Sequence, residues 1–407
     1  MTEVEAVAQV AQELERGSNL SIVNLVNRII EHAHSVLASD IHIDPQQEAV
    51  RVRFRIDGVL QEAHTLPKAT NLEVISRIKI LAGLRTDEHQ AAQDGRFRYV
   101  APDNNMIDVR VSIAPTYHGE NAVLRLLSDN SAEFTLTSLG FSEDNQKKIE
   151  HSIRKPHGMI LVTGPTGSGK TTTLYTILKI LNVPEVSIVT IEDPVEYAID
   201  GIEQIPVNDR TNLTFALGLR SILRQDPNII MVGEIRDKQT AGLAVNTALT
   251  GHLILSTLHT NDAATTLPRL LDLGVEPYLI ASTVNVVIGQ RLVRKICPDC
   301  KSSYKPTKAE LNSIKHLLPK NFGTKGKLYR GTGCESCNDS GYKGRIGIHE
   351  VLLVEKQIRD AILSKSSTNV LREIAEKQGV KTMIQDGLEK AAAGITTIAE
   401  VLRTMYE

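Results

Sequence analysis

From residue 39 to residue 58, apolar and charged side chains alternate almost one by one. Ile41 and Ile43, then Val50, Val52, Phe54 and Ile56, stand on one side, and Arg51, Arg53 and Arg55 on the other. A period of two belongs to strands with one face in a core and one in solvent. Upstream, Ile22, Val26, Ile29, Ile30, Ala33 and Leu37 recur at helical spacing, after a charged lead-in helix over residues 1–20. That helical stretch carries His32 and His34. A spacing of two cannot aim both at one metal, which leaves them on a solvated surface. Further on, the pattern predicts a helix over 71–84, a turn at Gln93-Asp94-Gly95-Arg96, and strands near 107–113 and 121–127. Residues 21–127 therefore read as an α+β domain whose strands also carry Arg96, Arg98, Arg110 and Arg125, a surface suited to an anion. Residues 128–155 are polar and read as a linker with a short helix.

After residue 156 the alternation gives way to short uninterrupted apolar runs, at 159–162, 188–191, 229–232 and 253–257, with helical stretches between them. Strands alternating with helices predict a mostly parallel sheet covered on both faces, here over 156–294. Ligand chemistry in such a sheet belongs at the carboxyl ends of its strands. A cysteine-bearing insertion follows over 295–345. Residues 346–407 read as helical to the end, with helices at 358–363, 368–378 and 395–405.

The strand-end segments carry the chemistry. The first apolar run leads into Gly164-Pro165-Thr166-Gly167-Ser168-Gly169-Lys170-Thr171, with Thr172 opening a helix. Strand, glycine loop and helix are the context of a phosphate-binding loop, whose amides and helix dipole face phosphate oxygens. Lys170 would reach the β- and γ-phosphates of ATP, and Thr171 would offer its hydroxyl to Mg²⁺. The second run ends in an acidic box containing Glu192, Asp193 and Glu196, and the third in Gly233-Glu234. An apolar strand ending in an acidic residue is the Walker B arrangement, although glycine stands where aspartate is expected. Mg²⁺ would then be contacted through water by Glu234 or shared with residues 192–196. Helix capping is the alternative role for these carboxylates. His252 and His259 bracket the fourth run, and a histidine there can sense the γ-phosphate. Cys297-x-x-Cys300 and Cys334-x-x-Cys337, with 33 residues between them, supply four thiolates for a closed, structural Zn²⁺ site. Disulfides are the alternative.

Composition narrows the class. At 407 residues the chain holds two or three domains, and 41% hydrophobic with 23% charged residues is a soluble globular balance. A formal net charge of −2 gives no global field toward nucleic acid or an anionic membrane. An aromatic content of 4% without tryptophan offers few base-stacking platforms, against a nucleic-acid translocase. No apolar run approaches a transmembrane segment, the N-terminus lacks a signal-peptide layout, and four cysteines suit a reducing, cytoplasmic setting.

Taken together, GPTGSGKT, TIEDPVEY, ILRQDPNIIMVGEIRD, TGHLILSTLHTNDA and the paired CxxC with GYKGRIGIHE resemble the assembly ATPases of bacterial type II secretion and type IV pili. SDIHI, RFRIDG and QDGRF fit as well. The resemblance implies a RecA-like P-loop NTPase domain behind a smaller α+β domain, working as a homo-hexamer at the cytoplasmic face of the inner membrane. Its partners would be the membrane platform and assembly proteins of the machine, with no nucleic acid. It further implies Glu196 as general base, Glu234 as Walker B glutamate, His259 with His252 beside the γ-phosphate, and Arg96 and Arg110 as arginines lent to the nucleotide. The tetracysteine element favours assembly over retraction motors. Type II secretion leads, with a mannose-sensitive-type or competence-type pilus motor as the alternative. Family members carry a further N-terminal docking domain, which is not found in these residues.

Overall fold

The alternating stretch is the middle of a six-stranded antiparallel sheet. Its elements are α1 (Glu3–Glu15), α2 (Ile22–Ser35), β1 (Asp40–Pro45), β2 (Ala49–Ile56), β3 (Val59–Pro67), α3 (Asn71–Leu81), β4 (Gln93–Val100), β5 (Met106–Thr116) and β6 (Gly119–Ser128). The strand order is β3-β2-β1-β6-β5-β4. Ile41, Ile43, Val50, Val52, Phe54, Val109, Val111 and Leu124 form a core with Leu25, Val26, Ile29 and Ile30 of α2 and Val74, Ile75 and Ile78 of α3. On the opposite face Arg51 pairs with Glu62, Arg53 with Asp44 at 2.7 Å, and Arg55 with Asp40 at 3.4 Å. The register sets Arg96, Arg110, Arg125, Asp40 and Arg55 side by side across successive strands. The computed structural model describes residues 3–102, 104–128, 134–307 and 327–406, in two units, 1–133 and 134–407.

Three expectations for the first unit change. Residues 93–96 are not a turn but the start of β4. A Cβ on Gly95 would lie 2.8 Å from the Ala82 carbonyl, so the glycine serves a close backbone approach. Residues 57 and 58, with φ of 50° and 88°, close a hairpin into β3, which the alternation alone did not mark. His32 is not solvated. It is 3% exposed, bonds His64 through Nδ1 at 2.8 Å and stands edge-on to Phe54. Burial lowers its pKa to about 4. Helix α2 packs against α1 and α3 as well as β1, so a wider arc of it is buried than its apolar stripe suggests.

The second unit contains α4 (Glu143–Ile153), β7 (Gly158–Thr163), α5 (Lys170–Leu181), β8 (Ile188–Glu192), β9 (Glu203–Pro206), α6 (Phe215–Ile222), β10 (Ile229–Val232), α7 (Lys238–Leu249), β11 (Leu253–Leu258), α8 (Ala263–Asp272), α9 (Pro277–Thr283) and β12 (Val284–Ile296). It continues with β13 (Lys301–Tyr304), β14 (Leu328–Gly331), β15 (Tyr342–Leu353), α10 (Lys356–Leu363), α11 (Thr368–Lys377), α12 (Met383–Ala392) and α13 (Ile398–Tyr406). The sheet order is β15-β12-β7-β11-β10-β8-β9, parallel except for β15. Strands β7, β8, β10 and β11 are buried along their whole length, the reason their sequences are apolar without alternation.

Residues 134–155, expected as linker, belong to this unit's core. Leu136, Phe141, Ile149 and Ile153 are buried with Ile160 and Val162 of β7. The charged outer face of α4, from Glu143 to Lys148, disguised that inner stripe. Residues 129–133 lie outside the described residues, as do 308–326 of the cysteine-bearing insertion. The stretch expected to be helical from 346 onward begins instead as β15, the antiparallel edge strand paired with β12.

Candidate active site

The phosphate loop is built between β7 and α5. Gly164 has φ 150°, and a Cβ there would lie 2.3 Å from the Gln290 carbonyl oxygen, so only glycine fits. Gln290, 2% exposed on β12, donates to the Ser168 carbonyl at 2.8 Å and accepts from Thr173 Oγ1 at 2.7 Å. Helix α5 starts at Gly169 with no side-chain cap, and Ser168 Oγ is buried without a partner. Uncapped amides and an orphaned hydroxyl beneath them fit a phosphate group. Lys170 Nζ donates to the Gly164 and Pro165 carbonyls, both at 2.9 Å. Burial lowers its pKa to about 8, against the opposing pull of Glu234. Thr171 and Thr172, half-buried, follow in the first turn of α5.

Glu234 follows β10 and is 9% exposed. Its Oε2 meets Arg236 Nε at 2.7 Å and His259 Nε2 at 3.4 Å. Burial, with Lys170 next, lowers the His259 pKa. Lys170, Glu234 and His259 thus form one electrostatic group at the carboxyl ends of β7, β10 and β11. The glycine in place of a Walker B aspartate has a local reason. A Cβ on Gly233 would lie 3.3 Å from both the Glu192 Cα and the Ile191 carbonyl oxygen. A hydroxyl chain adds rigidity: Thr163 Oγ1 meets Thr260 Oγ1 at 2.5 Å, which meets Thr266 Oγ1 at 2.7 Å.

Two expected site residues lie elsewhere. His252 is level with Gly158 at the amino end of β11, where its carbonyl accepts from the Gly158 amide at 3.1 Å. Six residues of strand, roughly 20 Å at ~3.3 Å each, separate it from His259. Bracketing a strand placed the two histidines at opposite ends of it. Glu192 is 2% exposed, and its carboxylate accepts from Tyr175, from Thr190 at 2.5 Å and from Gln204 at 3.1 Å. It faces these groups and not a ligand. Asp193 is exposed and Glu196 half-buried beyond it. In the first unit, Arg96 is exposed on β4 directly opposite Arg110 on β5. Gln290, Tyr175 and Gln204 were not singled out by the sequence, since each is an uncharged polar residue outside the charged and glycine-rich motifs.

The four cysteines form a separate cluster. Sγ atoms lie 3.8 Å apart for Cys297–Cys334 and for Cys300–Cys337, 3.6 Å for Cys334–Cys337, and all fall within 4.8 Å of one another. Tetrahedral zinc with bonds of ~2.3 Å sets its sulfurs about 3.8 Å apart, so the donor set fits. All four are free thiols, contrary to the disulfide alternative.

A parallel sheet carrying this loop, an acidic strand end and a histidine at the next strand end defines a P-loop nucleotide-binding protein. The sequence matches the Type II/IV secretion system protein family over residues 15–403, and the chain belongs to that family. It is 48% identical over 382 residues to the type IV pilus assembly ATPase PilB of Thermus thermophilus, covering 94% of this chain and 43% of that protein. It is 44% identical over 407 residues to the type II secretion system ATPase E of Vibrio cholerae, covering 99% and 79%. The chain thus spans less than half of the Thermus relative. The pilus retraction motor PilT with bound ADP superposes with a TM-score of 0.62 at 26% identity, covering 93% of this chain and 96% of PilT. The Legionella pneumophila ATPase DotB shares the fold, with a TM-score of 0.68 at 22% identity over 93% and 94% of the two chains.

Proposed function

We propose that the chain is a mechanochemical ATPase that powers pseudopilus assembly in type II secretion, with a type IV pilus assembly machine as the alternative. The observation that carries this reading is the convergence of Lys170, Glu234 and His259 at neighbouring strand ends beside an uncapped helix. Residues 164–172 would hold the triphosphate, with Lys170 balancing charge on the transferred phosphoryl group. His259, held by Glu234, would face the γ-phosphate, and Glu196 would take the proton from the attacking water. Thr171 and Glu234 would hold Mg²⁺, which neutralises phosphate charge when bound. Arg96 and Arg110 would be the arginines lent to the nucleotide. Cys297, Cys300, Cys334 and Cys337 would hold zinc in a closed shell that stabilises the fold. The protein would act as a homo-hexamer docked on inner-membrane platform proteins at the cytoplasmic face. Among the described residues no helix is long and apolar enough to cross a membrane.

The test is the steady-state ATPase rate of the purified chain with and without single-stranded DNA. A Mg²⁺-dependent rate indifferent to DNA is expected. Stimulation tenfold or more by DNA replaces this reading with a nucleic-acid translocase.

A further inference from the structure

The acidic box ends in a buried network that the motif does not include. Tyr175, on α5 and fully buried, points its hydroxyl at Glu192 and donates to Oε2. The Tyr175 hydroxyl oxygen itself accepts from the Glu196 amide and from Gln204 Nε2, both at 3.3 Å. Gln204, on β9, reaches the Tyr197 carbonyl at 3.1 Å and accepts from the Ile199 amide at 2.7 Å. The main chain at 196, 197 and 199 is thus tied to two side chains, and both are oriented by one enclosed carboxylate. Burial raises the pKa of Tyr175 and of Glu192, so the phenol remains a donor. Apolar replacement of such a network is often neutral for stability, so its presence here asks for another reason.

We propose that Tyr175 is a positioning residue for the reaction, its hydroxyl holding the main chain that presents Glu196. The role rests on the reading of Glu196 as the base. Tyr175 lies on the helix that begins with Lys170, so the tie fixes the acidic loop relative to the phosphate loop. Displacing a reacting group by an ångström costs up to ~10²-fold in rate.

The experiment is a double-mutant cycle on the full chain, with kcat and nucleotide Kd measured separately. Tyr175→Phe keeps the ring against Tyr197 and should lower kcat ~10–10²-fold with Kd within about threefold. In a Glu196→Gln background the same change should alter the residual rate by less than about twofold, because groups acting as a unit are not additive. If Tyr175→Phe unfolds the protein, Gln204→Ala enters the same cycle. A kcat within twofold of the parent, or equal losses in both backgrounds, overturns the positioning role alone. Full activity in Glu196→Gln overturns the assignment of the base beneath it.

Discussion

Gln290 and Ser168 are 122 residues apart in sequence, yet the side chain of one donates to the carbonyl of the other at 2.8 Å. The phosphate loop is therefore held from below by β12 as well as by its own turns. Gln290→Ala would leave the Thr173 hydroxyl and the Ser168 carbonyl without this partner, a loss of about 1–3 kcal/mol for buried groups. Expressed in loop geometry, it should weaken nucleotide binding ~10-fold. Titration with a fluorescent nucleotide measures it, and an unchanged Kd would remove Gln290 from the site.

Lys170→Ala should lower turnover by ~10²–10³ while the protein stays folded, since it deletes the fixed positive charge of the phosphate loop. Circular dichroism and an ATPase assay on the same preparation decide it. Normal turnover in that variant ends the ATPase reading.

The wild-type rate should carry a signature of the same lysine. Its pKa is depressed from the ordinary 10.5 to about 8, so the nucleotide-free protein loses this charge as pH rises through 8. Because kcat/KM reports the free enzyme, it should fall about tenfold per unit above that pH. A bound triphosphate retains the proton, so kcat should hold to higher pH. Parallel decline of both parameters would contradict the assignment.

Arg96→Ala and Arg110→Ala should each cut turnover ~10²-fold or more with nucleotide affinity within a few fold, as arginine fingers do. Arg51→Ala and Arg53→Ala serve as controls, because those side chains are paired with Glu62 and Asp44. Equal loss in the controls would replace the two named arginines with a general basic face.

Purified protein should contain close to one equivalent of zinc, and Cys297→Ser or Cys334→Ser should lose metal and thermal stability together. Elemental analysis without chelators is the measurement. Less than half an equivalent argues for a metal-free thiol cluster.

How much the sequence disclosed follows from the kind of signal each residue emits. Strands β7, β8, β10 and β11 were legible because full burial writes an apolar run, and β1 and β2 because half burial writes alternation. Strand β15 was not, since it opens on Tyr342-Lys343-Gly344-Arg345 at the sheet edge, where polar residues are tolerated. Lys170 and Glu234 announced themselves through charge at strand ends. Burial depth is invisible in a motif, which is why Glu192 looked like a ligand and His32 looked solvated. Strand polarity is equally invisible, which is why His252 seemed a neighbour of His259.

Strand β12 carries Gln290 under the phosphate loop and runs on to Ile296, one residue before Cys297. Its partner β15 returns from Tyr342, just beyond Cys337, and delivers Glu350 to the amide of Ala263 at 3.1 Å, beside the segment that bears His259. Two hydrogen-bonded strands thus form a stiff lever with the thiol cluster at one end and nucleotide chemistry at the other. Stripping metal from the cysteines should then do more than loosen a knob on the surface. It should reach the phosphate loop through the lever and be felt as slacker nucleotide grip.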